Sequence, residues 1–99
     1  MIYTCNEIKN TLEPVFRHYG VRYAVLFGSY AKGLQTEESD IDILVDSGLR
    51  GLAFFELLDA VTRVLGKAVD LLDVTQIIPD SLIEKETKKR SYLLYGQQG

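Results

Sequence analysis

The chain has 99 residues, with 11 Lys or Arg against 14 Asp or Glu, and its formal net charge of −3 gives no general electrostatic footprint for a long nucleic acid. Hydrophobic residues at 46% and charged residues at 25% match an ordinary globular protein and argue against disorder. No run reaches the ~18 apolar residues of a membrane span, and the amino end lacks a basic stretch followed by an apolar one, so the cytoplasm is the default location. A single cysteine, Cys5, excludes an internal disulfide and a thiol cluster for zinc.

At this length the chain reads as one domain, 1–99, with a small core. Thr4 and Glu7 have capping-box spacing, and Ile8, Leu12, Val15, Phe16 and Tyr19 recur at helical intervals up to Gly20, which predicts a first helix. Pro14 falls inside it, so the helix is expected to kink there or to divide into two pieces. Val21 to Phe27 reads as a strand ending at Gly28, followed by a possible helical turn at Tyr30 to Lys32 and a loop from Gly33 to Ser39.

Ile41 to Val45 reads as a second strand. Leu52, Phe55, Leu58, Val61 and Leu65 give an apolar stripe on a helix from about Leu49 to Leu65, stopped by Gly66. Ala68 to Asp73 predicts a third strand. Pro79, Asp80 and the Ser81/Glu84 pair open a last helix expected to run to about Tyr95. Lys85, Lys88, Lys89 and Arg90 form a basic cluster on it, read first as a solvated helix face. The order α-β-(turn)-β-α-β-α implies an α/β or α+β architecture, a sheet covered by helices.

The second strand poses a problem, because Asp40 and Asp42 interrupt an apolar run where an uncompensated carboxylate is costly. Residues i and i+2 of a strand share a face, with α-carbons about 6.6 Å apart. Two such carboxylates can converge on one point, and a divalent cation with hard oxygen ligands offsets their repulsion. Magnesium fits this pattern, since it takes one or two carboxylates and fills its other positions with water and phosphate oxygens. Asp70 interrupts the third strand and can reach the same place if the two strands are neighbours. Asp73 has the opposite parity and lies near the strand end, where it is expected to be solvated.

Three carboxylates around one or two cations suit phosphoryl or nucleotidyl transfer. Gly28 and Ser29 supply a complementary turn, where backbone N–H groups approach an anion and Ser29 adds a hydroxyl. Lys32 is a candidate cation for the same phosphates, with a solvated lysine as the plain alternative. His18, beside Tyr19 at a helix end, reads as structural. Phe54, Phe55, Tyr92, Leu93, Leu94 and Tyr95 read mainly as core, with some available for a partner or self-interface.

The combination Leu26-Phe-Gly-Ser-Tyr-Ala-Lys-Gly33, Ser39-Asp-Ile-Asp-Ile-Leu-Val45 and Leu65-Gly-Lys-Ala-Val-Asp-Leu71 resembles the minimal nucleotidyltransferase family of the DNA polymerase β superfamily. The resemblance covers nearly the whole chain. It implies a small mixed sheet flanked by helices, with Asp40, Asp42 and Asp70 as metal-binding catalytic carboxylates and Gly28-Ser29 as the triphosphate-holding turn. Lys32 stands where the family commonly has arginine, which keeps the charge but not the bidentate fork.

Members resembling this chain commonly transfer AMP from ATP with magnesium, and many are antitoxins that adenylylate a tyrosine of a helical HEPN-type ribonuclease toxin. Further acceptor-gripping domains are not evident in these 99 residues, so the acceptor is expected to bring its own binding surface. Two other readings stay open: an antitoxin that acts by occlusion alone, and a small-molecule nucleotidyltransferase whose acceptor site is completed by an oligomer.

Overall fold

A computed structural model describes residues 3–76 and 91–96. The predicted start of the last helix at Pro79 to Glu84, and the basic cluster at Lys85 to Arg90, lie outside the described residues.

The first helix, α1, spans Cys5–Tyr19. Its capping box is reciprocal: the Glu7 N–H donates to Thr4 Oγ1 at 3.1 Å, and the Thr4 N–H donates to Glu7 Oε1 at 2.9 Å. These bonds satisfy donors that the first helical turn would otherwise leave without partners. The helix runs through Pro14 as one element, which removes the two-piece reading. Pro14 and Asn10, whose carbonyl loses its usual donor, are both exposed, so water can take the place of the missing bond.

The strand β1 (Tyr23–Phe27) leads into a short helix α2 (Gly28–Lys32), then β2 (Ile41–Asp46), α3 (Leu52–Leu65) and β3 (Val69–Asp73). A 3₁₀ turn at Val74–Gln76 follows, and β4 spans Tyr92–Gly96. The sheet order is β3-β2-β1-β4. β1 pairs antiparallel with both β2 and β4, whereas β2 and β3 are parallel and joined by α3. The sheet is therefore mixed, and α3 supplies the crossover that a parallel pair requires.

Two sequence expectations need correction. Tyr92 to Tyr95 is not the end of a helix but a strand along the outer edge of β1, so the described order ends in β rather than α. A four-residue apolar run carries too little periodicity to separate helix from strand, and pairing with the edge of β1 decides the matter. The stripe on α3 also differs. Its buried residues are Leu57, Val61 and Leu65, while Leu52 and Phe55 are 82% and 62% exposed. The helix begins only at Leu52, after Gly51, and it turns Leu57 rather than Phe55 toward the sheet.

The two faces of the sheet differ in what covers them. Ala24, Leu26, Ile41, Ile43, Val45, Leu71 and Leu94 pack in one cluster with Ile8, Leu12 and Phe16 of α1 and Leu57, Val61 and Leu65 of α3. Val25, Phe27 and Leu44 form a second cluster on the opposite face, with Tyr23, Leu72 and Val74 packed against it. Asp42 shares the parity of Leu44, and Asp70 that of Leu72. The acids that interrupt the strands therefore project from the second face, away from the α1/α3 core.

Candidate active site

The site is built where β1 ends and β2 and β3 begin. Phe27, the last residue of β1, is paired with Asp42, and Asp42 is in turn paired with Asp70 across the parallel ladder. Paired residues of adjacent strands share a face and lie about 4.8 Å apart, so the parallel register brings the Asp42 and Asp70 side chains together. Asp42 is half-buried and Asp70 exposed.

Asp40 precedes β2 and is exposed. It is held between two fixed points. On one side, the Ser39 N–H donates to the Thr36 carbonyl at 3.1 Å while Ser39 Oγ accepts from the Thr36 N–H at 2.9 Å. On the other, the Ile41 N–H donates to the Ala68 carbonyl at 3.1 Å.

Gly28 begins α2 with φ of +70°, a conformation that favours glycine. Its neighbour is decisive as well, since a Cβ placed on Gly28 would run into the Asp42 carboxylate. The glycine is thus the gap through which the turn and the acid approach each other. Ser29, half-buried, follows it, and α2 closes where the Leu34 N–H donates to the Ser29 carbonyl at 2.9 Å. Lys32 is half-buried in the last turn of this helix.

Among the described residues, no group of three or more His, Cys, Asp or Glu side chains is drawn together closely enough to hold a metal ion. The register brings together Asp42 and Asp70, and Asp40 stands nearby in sequence rather than in one ligand cluster with them. Like charges stand apart unless a cation offsets their repulsion. The donor set is all carboxylate oxygen, with no imidazole or thiolate among the three, and the bare Gly28 backbone lies directly against Asp42; both features suit a hard divalent cation beside phosphate.

A surface pocket of about 280 Å³ is lined by Leu49, Arg50, Gly51, Phe54, Asp73, Thr75 and Gln76, at the carboxyl ends of β2 and β3, whereas the acids lie at their amino ends.

Asp73 departs from its sequence reading. Its face is the expected one, opposite Asp70, but it is only 5% exposed rather than solvated. Oδ1 accepts from the Ser47 N–H at 3.1 Å and Ser47 Oγ at 2.6 Å, and Oδ2 accepts from the Thr75 N–H at 3.1 Å and Thr75 Oγ1 at 2.7 Å. Burial pushes its pKa up, but the hydrogen bonds from Ser47 and Thr75 outweigh burial and hold the carboxyl below its ordinary value.

Lys67 was not singled out from sequence, yet it donates to Tyr30 Oη at 3.2 Å and to the Glu37 carbonyl at 3.1 Å. The adjacent Gly66 and the acid three residues on were the available signals. Cys5 Sγ lies 3.3 Å from the Tyr30 carbonyl, and burial raises its thiol pKa above the ordinary value. His18 is exposed with its ring edge-on to Tyr19.

No helix among the described residues is long and apolar enough to cross a membrane. Residues 7–98 match the family described as "Polymerase beta, Nucleotidyltransferase". A relative from Thermococcus cleftensis, the protein adenylyltransferase MntA, is 39% identical over 77 residues, covering 70% of this chain and 76% of its own. A chain in the crystal structure of a toxin–antitoxin complex with AMP-PNP superposes with a TM-score of 0.76 at 29% identity, covering 91% of this chain and 74% of that one.

The fold is also shared with a chain in a complex of tri-AMPylated Shewanella oneidensis HEPN toxin with MNT antitoxin, at a TM-score of 0.71 and 24% identity, covering 96% of this chain and 75% of that one. The match over residues 7–98, together with a relative at 39% identity, assigns the chain to the polymerase β nucleotidyltransferase family, whose chemistry uses a nucleotide donor and a divalent metal.

Proposed function

We propose that this chain is a magnesium-dependent protein adenylyltransferase that moves AMP from ATP to a tyrosine hydroxyl of a helical HEPN-type toxin, acting as its antitoxin in the cytoplasm. The observation that carries the reading is the Asp42–Asp70 register beside the Gly28 turn, which brings two carboxylates and a side-chain-free backbone approach together on one face. Similarity to the Thermococcus cleftensis adenylyltransferase supports the reaction class. The complexes with AMP-PNP and with a tri-AMPylated HEPN toxin support the donor and the acceptor.

In this reading the backbone at Gly28 and the Ser29 hydroxyl hold the triphosphate, with Lys32 beside it. Asp40, Asp42 and Asp70 hold the metal ions, which supply charge neutralisation to the phosphates. The acceptor oxygen attacks the α-phosphorus, the bond to the β-phosphate oxygen breaks and pyrophosphate leaves. Asp70, exposed near the start of β3, would take the hydroxyl proton. The remaining work is alignment, since phosphoryl chemistry depends chiefly on positioning and electrostatic stabilisation.

The test is incubation of the purified chain with ATP, magnesium and a cognate HEPN-type protein, followed by intact mass measurement of both proteins. The expected result is addition of AMP to the partner, mapped to tyrosine and lost in a tyrosine-to-phenylalanine variant. Neutralisation of the partner with no covalent addition would favour occlusion instead. Transfer to a free small alcohol at a comparable rate would favour a small-molecule enzyme.

A further inference from the structure

Three segments outside β2, which carries Asp42, lead to the other candidate site residues: α2 with Gly28 and Ser29, the Gly33 to Ser39 loop leading to Asp40, and the connection from α3 into β3 leading to Asp70. None of these is long, and the loop has no regular secondary structure to stiffen it. The sheet ladder fixes Asp42 against Asp70 and Phe27, and side-chain and isolated backbone bonds add to it where the three segments leave the sheet.

The three residues from Gly66 to Ala68 provide those bonds. Gly66, at φ of +65°, turns the chain out of α3. Ala68 accepts the Ile41 N–H, one residue beyond Asp40. Between them, Lys67 sends its ammonium to Tyr30 Oη at 3.2 Å and to the Glu37 carbonyl at 3.1 Å. Tyr30 follows Ser29 directly and is 1% exposed, so its ring is fixed in the core. Glu37 lies in the Thr36 to Ser39 turn, two residues before the serine that precedes Asp40.

An ammonium has three donors and no acceptor, and here two of them join segments separated by about thirty residues from it in sequence. Its bonds are charge-assisted, and one anchor is immobile. We infer that Lys67 is a positioning residue for the reaction, clamping the loop that presents Asp40 against the helix that presents Ser29 and against the strand that presents Asp70. This rests on the proposed nucleotidyl transfer for its catalytic consequence, but the clamp itself is a property of the chain. Lys67 touches neither nucleotide nor acceptor in this scheme, and it acts through the spacing of the three acids and the turn.

The experiment compares Lys67→Met, Lys67→Arg and Tyr30→Phe with the unaltered chain. Amide hydrogen exchange by NMR reads the clamp directly. Lys67→Met is expected to lower protection at Leu34 to Asp40 while leaving β1, β2 and α1 protected, and Lys67→Arg, which keeps a charged multiple donor, is expected to restore it.

Manganese binding followed by electron paramagnetic resonance reads the acids without any turnover, and the Lys67→Met dissociation constant is expected to rise about tenfold. In the transfer assay kcat should fall about 100-fold with KM for ATP changed far less, because misplacement by about 1 Å costs that much in an aligned reaction. Tyr30→Phe, which leaves the Glu37 bond in place, should give a smaller fall.

Unchanged loop protection and manganese affinity in Lys67→Met would overturn the inference, as would a uniform loss of protection across the sheet. An unaltered chain that transfers nothing would instead overturn the proposed function, while the exchange measurements would still decide whether the clamp exists.

Discussion

Asp70 and Asp73 stand three residues apart in β3, on opposite faces of the sheet. Asp70 is exposed beside Asp42, and Asp73 is buried at the far end of the strand, where it lines a pocket together with Leu49 and Phe54. Asp73 receives four hydrogen bonds from Ser47 and Thr75, and its own N–H donates to Gln76 Oε1 at 2.9 Å. Its charge is answered from within the chain. Among the described residues nothing of that kind surrounds Asp70, whose nearest carboxylate neighbour in the ladder is another acid. An acid saturated by local donors holds structure, while two acids paired across the ladder are suited to a shared cation.

The comparison breaks most severely if Asp42 turns out to be dispensable. Asp42→Asn preserves shape and removes the charge next to the Gly28 gap, so transfer is expected to fall at least about a thousand-fold, the equivalent of several kcal/mol of electrostatic stabilisation. Circular dichroism and the thermal midpoint should stay near those of the parent, because the side chain faces away from the α1/α3 core. Retained transfer in a folded Asp42→Asn chain would remove the acids at the start of β2 from the mechanism.

Gly28→Ala attacks the same site from the other side. The new methyl would meet the Asp42 carboxylate, and the residue would keep a backbone conformation that side chains rarely adopt. A fall in transfer of about 100-fold is expected from displacement of the acid. Gly20→Ala is the control, with a similar φ of +70° and no atom within 4 Å of the added carbon. It shares the backbone strain but not the collision, so full transfer in Gly20→Ala and loss in Gly28→Ala would assign the effect to the carboxylate.

Much of this arrangement was legible in the residues themselves. Asp42 and Asp70 interrupt apolar strands, and the parity of a strand already puts each on a definite face. Thr4 and Glu7 announced the first helix because a capping box is a local, self-contained bond pair. β4 was not legible, since Tyr92 to Tyr95 is too short to show a period and its strand character depends on the distant edge of β1. The misread of Asp73 has the same origin. Whether an acid at a strand end is solvated or saturated depends on Ser47, 26 residues away in sequence.

The smallest effect on catalysis, and the sharpest test of the contrast, comes from Asp73. Asp73→Asn is expected to leave transfer per folded molecule unchanged while destabilising the fold by about 2 kcal/mol near neutral pH, because charge-assisted bonds are lost and buried donors keep poorer partners. The pH dependence follows from the lowered pKa of the folded carboxyl. In the unfolded chain an aspartate titrates near about 3.9. The stabilising contribution is therefore fully present above that value and is lost as pH falls through the lower folded pKa.

Urea unfolding midpoints of the parent and Asp73→Asn should thus differ by a constant amount from neutral pH down to about pH 5, and then converge as the medium becomes more acidic than about pH 4. A difference that persists unchanged below that point would mean that neutral hydrogen bonding and packing, rather than the ionised carboxylate, hold the Ser47 and Thr75 corner. A fall in transfer at full folding would instead tie this corner to the chemistry at the far end of the strands, and the division between the two acids of β3 would fail.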